Sequence, residues 1–177
     1  MIKTILVATD GSDHAEKALT LASDLGAKYR ARLVLVHVLL SNARSDTLRA
    51  LANRRNLSKR LRDLLANYEA DFLREFAAVG AEGGFVPIPP PRELVEAIGQ
   101  QIMDRAEKIA AKAGIKKIDT VMVHGDPAEV ILDLAANNKA DMIVLGSRGL
   151  SDFKGLFLGS TSHKVCAQAD CTCLTVK

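Results

Sequence analysis

No apolar stretch in the chain approaches the roughly 18 residues that a membrane-spanning helix needs. The N-terminus lacks the shape of a secretory leader, because its apolar run, Ile5 to Ala8, is stopped at Asp10. Cysteine is scarce. There are three, Cys166, Cys171 and Cys173, an odd number gathered near the C-terminus. Without a leader, that count suits reduced thiols and a cytoplasmic protein. Cys171 and Cys173 would face the same way along a strand. They form no C-x-x-C motif and read as small core residues. There is no internal repeat. What remains is ordinary for a globular protein: 177 residues, 48% apolar and 25% charged. A chain of that length can bury about 70% of its unfolded surface. Disordered, collagen-like and disulfide-scaffold classes are excluded.

Charge is unevenly placed. Between Arg44 and Arg62 lie seven basic residues (44, 49, 54, 55, 59, 60 and 62) and one acid, Asp46. That segment carries +6 in a chain whose net charge is +3, so the remainder is −3. The plain interpretation is a solvated helix face. The sharper one is a contact surface for an acidic protein partner. No aromatic residues interleave with these charges, which argues against nucleic acid.

The apolar pattern alternates between two periods. Thr4 to Ala8, Leu33 to Leu39, Ile118 to Val123, Asp141 to Leu145 and Cys173 to Val176 read as strands, the continuous runs as strands buried on both faces. Helices intervene. Asp13 with Glu16 has capping-box spacing and opens the first. Asp126-Pro127-Ala128-Glu129 opens another, with Asp as N-cap and Pro at the first helical position. Ser160 opens a short one, to about Gln168. Strands alternating with helices predict an α/β fold with a five-stranded parallel sheet. Between about 44 and 91 the sequence is different. One apolar helical stripe (Leu57, Leu61, Leu64, Tyr68, Phe72, Phe76) is followed by a Gly/Pro-rich break, Gly80 to Pro91. A second stripe (Leu94, Ile98, Ile102, Ala106, Ile109, Ala113) follows. One crossover helix would suffice between parallel strands. The chain is therefore expected to form a single domain over 1–177 with an inserted helical hairpin at about 44–91.

In such sheets ligands lie beyond the carboxyl ends of the strands, where the strand order reverses. Two of those ends stand out: Asp10-Gly11-Ser12, and a glycine-containing loop from Gly146 to Gly159 that leads into Ser160-Thr161. Glycines admit close approach to a backbone, and a helix N-terminus favours phosphate. The loop is either a phosphate cradle or a plain αβ connection; glycine spacing alone does not decide. It is neither a Walker A motif nor G-x-G-x-x-G.

The loop does resemble the G-x2-G-x9-G-[S/T] nucleotide loop of the universal stress protein family, with Gly146, Gly149, Gly159 and Ser160 in register. Ile5-Leu-Val-Ala-Thr-Asp-Gly-Ser12, Val36-His-Val38, Gly125-Asp-Pro-Ala-Glu129, Ala140-Asp-Met-Ile-Val-Leu-Gly-Ser-Arg-Gly149 and Ala169-Asp-Cys171 are similar to its signatures, in order over about 1–40 and 92–177. The resemblance implies a Rossmann-like, doubly wound sheet of order 3-2-1-4-5, and ATP binding. Asp10 would meet the ribose or the metal–phosphate region, and Val38 the adenine edge through its backbone. Gly146 and Gly149 would line ribose and phosphate; Gly159, Ser160 and Thr161 would hold phosphates. Where the family often carries proline just before the aspartate, this chain has Ala8 and Thr9 at the adenine-side wall. The resemblance further implies a homodimer paired through the C-terminal strand, and a nucleotide-dependent stress-response regulator.

Other chemistries fit less well. A phosphoacceptor role for Asp10 would want a second acid beside it. A Ser160–His163–Asp10 triad has no G-x-S-x-G elbow. The four histidines, His14, His37, His124 and His163, are spread over separate elements without metal-ligand spacing, and His37 reads as a satisfied core residue. Mg²⁺ arriving with ATP suits Asp10 as a hard oxygen ligand. An ATP hydrolase or phosphotransfer enzyme on this scaffold is the competing expectation. It would need a base or an arginine finger, and the one arginine at hand is Arg148, which lies in the loop and is counted with the expected nucleotide-binding residues. Binding with at most slow hydrolysis is favoured.

Overall fold

A computed structural model of the chain describes residues 1–39, 59–79, 89–150 and 158–177. Arg44, Arg49, Arg54, Arg55, Leu57, most of the Gly/Pro-rich break and loop residues 151–157 lie outside the described residues. The described elements are β1 (Thr4–Ala8), α1 (Asp13–Tyr29), β2 (Arg32–Val38), α2 (Lys59–Val79), α3 (Arg92–Lys112), β3 (Ile118–Val123), α4 (Pro127–Asn137), β4 (Met142–Gly146), α5 (Ser160–Gln168) and β5 (Thr172–Val176). The strands form one sheet in the order β3-β2-β1-β4-β5. Every pairing is parallel. Both expectations, the parallel α/β sheet and its order, hold. No described helix is long and apolar enough to cross a membrane.

The sheet is buried on both faces, which is why its inner strands read as unbroken apolar runs. Side chains alternate between two cores. Ile5, Val7, Leu33, Leu35 and Val144 pack with Ala18, Leu19 and Ala22 of α1 and with Met103, Ala106 and Ala110 of α3. Leu6, Val34, Val36, Ile143 and Leu145 pack with Ala128, Ile131 and Ala135 of α4 and with Val165 of α5. Burying each of the larger aliphatic side chains contributes roughly 1.5–3 kcal/mol. Slipping a strand by one residue would exchange the two sets.

The chain divides into two compact units, Met1–Leu39 with Gly99–Lys177, and Leu40–Ile98. The first contains the sheet. In the second, Leu61, Leu65 and Tyr68 of α2 are buried. The stripe thus buries Leu65 where the periodicity pointed to Leu64, which is half exposed. Lys59, Arg60 and Arg62 are exposed, and Arg60 pairs with Glu93. That leaves them on the solvated face expected of the charge run.

Helix starts follow local chemistry. Asp126 caps α4 through Oδ1, which accepts from the amides of Ala128 and Glu129 at 3.1 Å. Those bonds, the Glu129 amide first, hold its carboxyl below the ordinary range, and Lys164 adds to the effect. The start of α1 needs a correction. Its N-cap is Ser12, whose Oγ accepts from Ala15 N at 3.2 Å; Asp13 is already helical. The Asp13–Glu16 spacing is therefore not a capping box. Glu16 instead pairs with Arg105 of α3 at 2.8 Å.

Candidate functional site

The order reversal falls between β1 and β4, so the chain leaves these two neighbouring strands toward opposite sides of the sheet. Beyond their carboxyl ends the two exit loops face each other. Asp10 joins them. Its Oδ1 accepts from Ser12 N at 2.9 Å, closing its own turn, and its Oδ2 accepts from Leu150 N at 3.0 Å, across the crevice. Gly11 takes φ +79°, a conformation glycine adopts without penalty.

The second loop is pinned at its base. Ser147 N donates to Val176 O of β5 at 2.7 Å, and Gly159 N donates to Ser147 O at 2.8 Å. Ser162 Oγ donates to Gly146 O at 2.7 Å. These bonds bring the first turn of α5 against the end of β4. Ser147, buried, also hydrogen-bonds through Oγ to His14 Nδ1 at 3.0 Å, tying the loop to the first turn of α1.

The three motif glycines are there for different reasons. At Gly146 a Cβ would lie 2.9 Å from Ala15 N and from His14 C. At Gly149 it would lie 2.5 Å from Asp10 Oδ2. The protein's own packing explains both. At Gly159 a Cβ would meet nothing closer than Arg148 Cα and Ser147 O at 3.6 Å, and its φ of −71° suits any residue. Nothing in the described protein requires glycine there. Gly159 is also the N-cap of α5, so no cap side chain accepts from that helix's first-turn amides. By contrast α1 and α4 are capped by Ser12 and Asp126.

All the sequence-predicted site residues lie along this edge of the sheet. Ala8 and Val38 end β1 and β2, Gly146 ends β4, and Ser160 and Thr161 open α5. Thr9 is buried and donates its amide to Val36 O at 2.9 Å. Its own carbonyl lies 2.8 Å from Nδ1 of buried His37, which is thus the satisfied core histidine expected. Arg148 and Gly149 are half-buried in the loop. Contacts bring together Asp10 with Gly149 and Leu150, and Ser147 with Gly159. Sequence reasoning missed His14, Ser147 and Ser162. Each is an ordinary polar residue beside a motif, and only the packing of α1 and α5 against β4 shows its partner.

A doubly wound parallel sheet with a pinned glycine loop at its reversal point places the fold in the Rossmann-like class. The chain matches the universal stress protein family over residues 1–177 and belongs to it. It is 34% identical over 183 residues to a universal stress protein of Thermus aquaticus encoded in the QAH/OAS sulfhydrylase 3′ region, with 100% of both chains covered. The fold is similar to that of a universal stress protein in complex with cAMP, at 22% identity and TM-score 0.59 over 99% of this chain and 96% of that one. It is also similar to the universal stress protein of Archaeoglobus fulgidus in complex with dAMP, at 17% identity and TM-score 0.59 over 100% of this chain and 98% of that one.

Proposed function

We propose that the protein binds an adenine nucleotide, ATP in particular, at the β1–β4 crevice and acts as a nucleotide-dependent stress-response regulator. The observation that carries this is Gly159: a glycine that the packing of the described residues does not need, at the N-cap of α5, where no side chain caps the helix. Free amides and the positive end of a helix dipole suit a phosphate group, and a missing side chain leaves room for it. The cAMP and dAMP complexes of similar folds support an adenine nucleotide as the ligand class. Gly159, Ser160 and Thr161 would hold phosphates, with Ala8, Thr9, Val38, Gly146, Arg148 and Gly149 along the rest of the edge. Asp10 would serve the ribose or Mg²⁺. Among the described residues no group of three or more His, Cys, Asp or Glu side chains could hold a metal, so Mg²⁺ would depend on the nucleotide's own phosphates. Both Asp10 oxygens already accept backbone amides. That commitment favours a structural link over a water-orienting base, and binding over efficient hydrolysis.

Denaturing the purified protein and chromatographing the supernatant is expected to release adenine nucleotide, and calorimetric titration of nucleotide-free protein with ATP and Mg²⁺ to show saturable binding. Folded protein that neither releases nor binds adenine nucleotide would refute the reading. The family resemblance also points to a homodimer built on β5, an edge strand of the sheet, since an edge is a liability unless paired or covered. Light scattering at high micromolar concentration is expected to give twice the chain mass; a monomer there contradicts the pairing.

A further inference from the structure

Cys166 lies on α5 and Cys173 on β5, and their sulfurs approach to 3.0 Å. That is well inside van der Waals contact and about 1 Å from the roughly 2.05 Å of a disulfide bond. The approach is fixed from both sides. Val165, fully buried, anchors α5 in the core beneath it, and Cys173 packs partly buried against that same core. Cys166 itself is exposed. We propose that Cys166 and Cys173 form a reversible dithiol/disulfide site, oxidised by hydroperoxides, at the end of α5 remote from the crevice.

The two thiols are unequal in a way that orders the reaction. Burial, with the hydrogen bond to Cys166 next, pushes the Cys173 thiol up to about 12, which disfavours its thiolate and leaves first contact with oxidant to the more exposed sulfur. The exposed Cys166 meets the peroxide. Its thiolate attacks one peroxide oxygen, the O–O bond breaks, and the departing oxygen leaves as water or alcohol after taking a proton. Cys166 is now a sulfenic acid. Cys173 sulfur then attacks Cys166 sulfur, the S–O bond breaks, and hydroxide leaves as water with the Cys173 proton. Two thiols have given two electrons to one peroxide. A thiol reductant reverses the step through a mixed disulfide. Cys171 also has its thiol raised, chiefly by burial, and takes no part.

The test counts thiols in the full chain. Hydrogen peroxide in slight excess, followed by alkylation under denaturing conditions, is expected to leave one alkylatable cysteine of the three. The chain should be lighter by two hydrogens before alkylation and remain monomeric on a denaturing non-reducing gel. Dithiothreitol should restore all three. Cys171→Ser should still form the cross-link, whereas Cys166→Ser and Cys173→Ser should each lose it. If Cys173→Ser fails to fold, Cys166→Ser, at an exposed position, gives the same readout. Three thiols surviving peroxide, stepwise gain of oxygen without cross-link, only inter-chain disulfides, or a cross-link that needs Cys171 would each overturn the proposal.

Discussion

Gly159→Asp is expected to abolish ATP binding while leaving the fold as stable as before or slightly more so. The two effects have opposite signs because they act on the same amides. In the free protein an aspartate at the N-cap of α5 accepts from first-turn amides that glycine leaves without a cap acceptor. The gain over glycine is a few tenths of a kcal/mol, with about 0.3–1 kcal/mol more from a negative charge at the positive end of the helix. For a chain of this size that is a rise of a few degrees in Tm at most. The extended backbone at Gly159 and the 3.6 Å clearance around its Cβ position mean that the substitution strains nothing described. A nucleotide phosphate, however, now finds its donors taken and a like charge in its place. Losing two charge-assisted hydrogen bonds at about 1.5–3 kcal/mol each amounts to a loss of at least ~100-fold in affinity. Gly159→Val should lose binding too, by filling the space, but with a small drop in Tm because valine is a poor N-cap. Titration calorimetry and thermal denaturation on the same samples check both halves. If Gly159→Asp binds ATP with wild-type affinity, the phosphates do not lie on α5.

Most of the fold was legible because the forces that build it are local or strongly patterned. Ile5 to Val7, Leu33 to Val36 and Ile143 to Leu145 are continuous apolar runs because helices cover both faces of a parallel sheet. The α4 start was legible because Asp126, Pro127 and Glu129 act on neighbouring backbone. The α1 start was misplaced by one residue for an instructive reason. Ser12 and Asp13 are both good caps, and the apparent capping box depended on Glu16, which Arg105 draws away from 89 residues downstream. No local pattern reports such a partner. In α2 the turn of the stripe was off by one position, burying Leu65.

The candidate site divides in the same way. Its location followed from the strand order that the family resemblance implies, not from the apolar patterns: once the order reverses between β1 and β4, Asp10 and Gly146 must share an edge. Its internal bonds did not follow. Asp10 to Leu150 spans 140 positions, and His14 to Ser147 spans 133. Both depend on how loops lie over a finished sheet. Cysteine spacing suggested that Cys171 and Cys173 belong together as core residues. They are only half-buried, and the partner of Cys173 is Cys166. A helix-to-strand contact of that kind is set by the way α5 packs on β5, which no spacing in the chain encodes.

The counterpart of Gly159 is Gly146, one motif position whose glycine serves the fold. Gly146→Val is expected to destabilise the protein by about 1–3 kcal/mol, the usual cost of forcing extra carbon into a packed site. At roughly 2–4 °C per kcal/mol for a chain of this size, Tm should fall by about 2–12 °C. The atoms in the way are mostly backbone: Ala15 N and His14 C, each 2.9 Å from where a Cβ would be, with His14 Cβ as close. They belong to the first turn of α1, which Ser12 holds by its cap and Ala15, Ala18 and Leu19 hold by burial. No flexible side chain can swing aside. Gly146 cannot retreat either. It is paired with Val176 in the sheet, and its carbonyl accepts from Ser162. Relief must therefore come from shifting α1 off the sheet or β4 off β5, and either disturbs a core. Alanine should cost less than valine, because only one carbon must be fitted. Circular dichroism melts of Gly146→Ala, Gly146→Val and the wild type are expected to fall in that order of decreasing stability. A Gly146→Val variant that melts with the wild type would show that the start of α1 yields freely, and that the close approach of α1 to β4 is not what holds the crevice in shape.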